Sequence, residues 1–157
     1  MNQTQVRGGE TMFVNQTDAR MRPFRLTVLV TLVFLVIQYV LGVLANLEVQ
    51  IPSGADGWSW VFGHSLIIQL HIYIGTLLIV AALVALILSI VARHLVGTIA
   101  AVAGLALLVF AWLSGSQFLD AQQNDPSLRM ALGFMGAFVA YLLGYYLPIV
   151  RAQKQAK

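Results

Sequence analysis

Residues 26–47 read LTVLVTLVFLVIQYVLGVLANL, 22 residues from Leu26 to Leu47 without a charge. At a rise of about 1.5 Å per residue a helix over this run is about 33 Å long, one hydrocarbon core of a bilayer. The same reading works outward along the chain. A second uncharged stretch runs from Gly57 to Ala92, long enough for an interfacial segment and then a helix. Trp58 and Trp60 have the character of an interfacial aromatic anchor, so the helix is placed at 65–92. Residues 95–119 give a third span, and 130–150 a fourth with Pro148 in its last turn. The expected fold is all-α: an integral membrane antiparallel four-helix bundle made of two hairpins.

Composition agrees. Of 157 residues 59% are hydrophobic and 10% charged, and the mean hydropathy is +0.83. Soluble domains carry about 25% charged residues, so a water-soluble enzyme and a disordered chain are both excluded. The expected organisation is a polar cytoplasmic tail over 1–25, a transmembrane domain over 26–150 and a basic cytoplasmic tail over 151–157. The first apolar stretch is too long for a signal-peptide core and reads as an uncleaved anchor. The purine-rich codons that Gly8-Gly9-Glu10 require, just ahead of Met12, leave open a natural start at Met12.

Basic residues orient the spans. Arg7, Arg20, Arg22 and Arg25 precede the first, Arg93 follows the second, and Arg151, Lys154 and Lys157 follow the fourth. Only Arg129 falls on the other side, with Glu48, Asp56, Asp120 and Asp125. The positive-inside rule then places both termini in the cytoplasm, at the inner (plasma) membrane. The net charge of +3 reflects topology, and no nucleic-acid partner is expected. There is no cysteine, hence no disulfide or thiolate ligand.

Helices one and three end alike, Leu41-Gly42 to Leu47-Glu48 over Leu113-Ser114 to Leu119-Asp120, as in two hairpins of one design. Gly136, Ala140 and Gly144 make a small-residue stripe on the fourth helix, with Ala100 and Gly104 on the third. Such stripes let helices approach closely, favouring association with other membrane subunits or a second copy.

An ionisable residue within a span is a functional hypothesis by default. His71 lies about 9 Å along the second helix, and His64, a further cofactor-binding candidate, seven positions earlier on the same face, about 10.5 Å away and so unable to share one haem with it. Two readings of His71 stand side by side: a structural hydrogen bond to Gln38 or Tyr39 of a neighbouring helix, or a ligand to haem b or a related tetrapyrrole. In the second reading Met130 is the best partner ligand, with the deeper Met135 behind it, and Arg129 pairs with the propionates. The bland alternatives are core packing for Met130 and a pairing of Arg129 with Asp125. His94 reads as a solvated or headgroup contact. The acids and His64 show no metal-binding spacing, and no nucleotide loop or hydrolase motif is present.

Gln38-Tyr39-Val40-Leu41-Gly42-Val43-Leu44, with Leu70-His71 and Gly75, resembles one four-helix half of haem A synthase and, more loosely, small b-type cytochrome modules. The resemblance implies a haem ligand at His71. It also implies a histidine on the fourth helix, where this chain has Arg129 or Met130, and the tryptophan-proline loop signature and glutamate–histidine context are absent. Haem A synthesis is therefore not expected. The expected function is an accessory or assembly subunit of a larger membrane complex, holding haem b through His71 if it holds any cofactor. The alternative is a cytochrome b-like electron carrier ligated by His71 and Met130.

Overall fold

The computed structural model describes the backbone of residues 3–121 and 124–155, and the side chains of residues 19–120 and 125–150. The described residues form five helices and no strand: α1 (Gln3–Glu48), α2 (Gly57–His64), α3 (Leu66–Val91), α4 (Leu95–Ala121) and α5 (Asn124–Gln155). Four are long and apolar enough to cross a membrane, over Ala19–Glu48, Leu66–Val91, Leu95–Asp120 and Asp125–Val150. Hydrocarbon offers backbone groups no partner, so a spanning segment rich in Val and Ile is helical despite its modest propensity.

The long helices form a ring: α1 packs on α3, α3 on α4, α4 on α5 and α5 on α1, while α1–α4 and α3–α5 lie diagonally across it. A minority of each span is buried, and the remaining faces are apolar, as lipid requires. The core holds Phe24, Val28, Leu35, Leu78, Ala82, Ala85, Ala101, Ala137 and Tyr141.

The first helix begins well before the uncharged run. Met21 and Phe24, set among Arg20, Arg22 and Arg25, are fully buried, and the Phe24 ring lies against Gly97 of α4. Arginine stems can lie along apolar surface while their heads reach water, so charges here do not mark the edge of the packed domain. Pro23 sits inside the helix, and its missing N–H leaves the carbonyl of exposed Ala19 without its usual donor.

The α4–α5 pair is the closest-packed. A Cβ at Gly104 would lie 2.5 Å from the Tyr141 ring, one at Gly133 3.0 Å from the Leu107 carbonyl oxygen, and one at Gly144 2.7 Å from Ala100 Cβ. The stripes of Gly136, Ala140 and Gly144 and of Ala100 and Gly104 therefore include close-contact positions within this pair.

Short connections are fixed by caps. Asp56 caps α2 by accepting from the Ser59 N–H at 3.0 Å, and Ser65 caps α3. Between α3 and α4 the chain turns through Arg93 at φ 52°, and His94 Nδ1 accepts from the Gly97 N–H at 3.0 Å. His94 is thus a helix cap, not the freely solvated side chain its sequence position suggested.

Candidate functional site between α1 and α3

The membrane-embedded hydroxyls are nearly all spent on their own helices. Thr31, Ser89, Ser114 and Ser116 donate to carbonyls three or four residues back, and Thr76 does so while accepting from Trp112 Nε1 of α4 at 3.2 Å. The exception is a polar knot between α1 and α3. Gln38 is buried, and its Nε2 donates to the backbone carbonyl of His71 at 2.8 Å. Gly75 makes this possible: a Cβ there would stand 3.0 Å from the Gln38 amide nitrogen. One turn further along α1, Gly42 receives the His71 ring, with Cε1 3.0 Å from where a Cβ would be.

Each residue of the knot thus uses a missing side chain on the opposite helix. The expected Gln38–His71 bond is present, but it runs from the Gln38 amide to the His71 main chain and not to the imidazole. Two atoms of the knot, Gln38 Oε1 and His71 Nδ1, are buried with no hydrogen-bond partner, as is the Tyr141 hydroxyl at the α4–α5 contact. Tyr39, the other expected partner, instead stacks on Phe134 of α5, ring centroids 6.1 Å apart.

The remaining sequence candidates lie elsewhere. His64 ends α2, and the extended backbone at Ser65 (φ −129°, ψ 96°) breaks the helix before α3, so His64 and His71 do not share one helical face. His64 stacks on Trp60 at 5.4 Å, and its Nδ1 is 3.0 Å from the Trp60 carbonyl. Met130 of α5 rests its sulfur on Gly115 of α4, 3.1 Å from a Cβ position there. Arg129 is exposed and folds back on its own helix, Nε donating to the Asp125 carbonyl oxygen at 3.4 Å. That is the expected Arg129–Asp125 partnership, made through the main chain. Met135 is exposed.

The packing does not bring His71 and Met130 together. The two residues belong to α3 and α5, which lie diagonally across the ring, and each is seated on a glycine of a different neighbour. Neither lines the cavity at the end of α1 or the slot at Phe34 and Leu77, and Arg129 turns its Nε to the Asp125 carbonyl. His71 Nδ1, buried and without a hydrogen-bond partner, matches a ligand's chemistry.

The acids at this end have structural work. Asp120 accepts from Trp58 Nε1 at 2.9 Å, and a Cβ at Gly57 would run into the Leu119 carbonyl, so α2 is docked on the end of α4. Gln69 donates to the Val61 and Phe62 carbonyls, satisfying the end of α2. No three of the described His, Asp and Glu residues cluster as a metal site. What sequence reasoning missed is an open cavity of about 500 Å³ lined by Glu48 and Gln50, at the end of α1, and by Trp60, His64, Ser65 and Leu66. Glu48 and His64 are 16 positions apart, and only the docking of α2 brings them to one cavity.

Comparison of the chain with protein-family models, curated proteins and solved structures finds no match.

Proposed function

We propose that this chain is an accessory or assembly subunit of a larger membrane complex, an antiparallel four-helix bundle with both termini on the cytoplasmic side of the inner membrane. The observation that carries the reading is the use made of the intramembrane polar groups. Hydroxyls return to their own helices, Gln38 ties α1 to α3, and Trp112 ties α4 to α3. What faces outward along the spans is apolar: Val33, Val36, Leu83, Ile87, Ile99 and Leu142 among others. Such faces suit packing against further helices, including a second copy, by van der Waals contact. The orientation rests on the Lys/Arg bias.

The test is the native mass of the tagged full-length chain after mild-detergent extraction, with a photo-crosslinker at Leu83 or Leu142. Migration with a defined larger assembly, and a crosslink to one discrete protein, supports the reading. A chain that runs as a monomer and crosslinks only to lipid overturns it. The electron-carrier alternative is favoured by a single observation, the unpartnered Nδ1 of His71. Sharp reduced haem bands lost in His71→Ala would put that alternative in place of the accessory reading.

A further inference from the structure

The α1–α3 seam carries two cavities on the same side. The first is the mouth of about 500 Å³, where Glu48 of α1 meets Trp60, His64, Leu66 and Ile67. The second is a slot of about 190 Å³ lined by Val30, Thr31 and Phe34 of α1 and Leu77, Leu78 and Ala81 of α3. Helix geometry aligns them. Val30 and Glu48 are 18 residues apart, about five whole turns, and so share one face of α1. Leu66 and Leu77, like Ile67 and Leu78, are 11 apart, about three turns of α3. The slot therefore lies about 15–22 Å from the mouth along α3 and about 21–27 Å along α1, beyond the midplane of a hydrocarbon core about 30 Å thick.

The two ends differ in chemistry. The slot is apolar, its one hydroxyl (Thr31) being bonded to the Thr27 carbonyl. The mouth offers a carboxylate and an indole stacked on an imidazole, and no Lys or Arg lines it. A carboxylate beside an aromatic face selects positive charge, by Coulomb attraction and by cation–π attraction to Trp60, and disfavours an anionic head. The geometry points to a binding site for one amphiphile: an ammonium head at Glu48 and Trp60, and an apolar chain lying along the α1–α3 seam into the slot at Phe34 and Leu77. Neither the accessory-subunit reading nor any role for His71 is needed for it.

The ammonium head can belong to a phospholipid or to a single-chain amine, and the test separates them. Native mass spectrometry of the detergent-purified full chain is run with phosphatidylethanolamine, phosphatidylglycerol, hexadecyltrimethylammonium and tetramethylammonium. Retention of phosphatidylethanolamine or hexadecyltrimethylammonium over phosphatidylglycerol is expected, whichever of the two binds more tightly naming the source. Glu48→Gln weakens that binding about fivefold. Leu77→Trp, at a half-exposed position that tolerates bulk, weakens the long-chain ligands and leaves the short one unchanged. Equal retention of phosphatidylglycerol, or wild-type binding in both variants, overturns the proposal. So does a preference for a neutral quinone added as competitor.

Discussion

The two sides of this bundle are built on opposite plans. Between α4 and α5, glycines accept neighbouring side chains and backbone: Gly104 takes the Tyr141 ring, Gly133 the Leu107 carbonyl and Gly144 the Ala100 methyl. Between α1 and α3, glycines accept polar groups, Gly75 the Gln38 amide and Gly42 the His71 ring, and cavities remain above and below. The same residue type thus closes one seam and functionalises the other. In lipid there is no hydrophobic drive to bring helices together, so shape has to do it. The α4–α5 pair has close glycine contacts along its length, whereas the α1–α3 pair adds one amide in its middle to the apolar packing of Val28, Leu35, Leu78 and Ala82.

That contrast can be broken most severely at Gly104. Gly104→Leu drives a branched side chain into Tyr141 and is expected to cost about 3 kcal/mol or more, read as loss of a monodisperse peak and a collapsed thermal transition in detergent. On the other seam, Gln38→Ala removes the amide and leaves a void, for an expected loss of about 1–2 kcal/mol by the same melt. Gln38→Leu should lose less than Gln38→Ala, because it fills the space and also removes the orphaned Oε1. A Gln38→Leu protein less stable than Gln38→Ala contradicts the account of the knot. Next in size is Trp58→Phe, which keeps the ring and loses the bond to Asp120, about 1 kcal/mol. It should appear as faster hydrogen exchange over residues 57–64 with α4 unchanged. The smallest effect belongs to His71→Phe, within about 1 kcal/mol of the parent, since a ring of similar size refills the seat on Gly42 and Nδ1 has no hydrogen-bond partner to lose. A large destabilisation there would mean that the imidazole holds something the packing alone does not show.

Much of this was legible in the letters. The uncharged runs name the four spans, and Ser65 ends an interfacial segment where the tryptophans placed it. The edges were less legible, for physical reasons. Hydropathy marks where lipid begins and not where a helix begins, so α1 and α5 extend past Leu26 and Met130 through polar residues. Phe24 is buried although Arg22 and Arg25 flank it: Arg22 is exposed and Arg25 half-buried, because a long basic side chain can lie along apolar surface. The α1–α3 partnership was also foreshadowed by Gln38 and His71. That the amide would take the main chain in place of the ring depends on the absence of a Cβ at Gly75, a property of the pair that neither helix reveals alone. Trp58 and Asp120, 62 positions apart, carry no joint signal, and the same holds for Glu48 and His64. His94 as a cap escapes a reading tuned to Ser, Thr, Asp and Asn at helix starts.

Phe24 has a consequence for how the molecule is made. Its ring is fully buried near the start of the first span, and the surfaces that bury it include Gly97 and, at 4.0 Å from a Cβ position, Gly144. Those residues leave the ribosome more than seventy and more than a hundred positions later. During synthesis the first helix therefore enters the bilayer with its future core residue facing lipid or another protein, and α3 arrives before α5 can cover it. The bundle's last closure is an act of its fourth span, so a chain cut short before Gly144 leaves an inserted but open assembly intermediate.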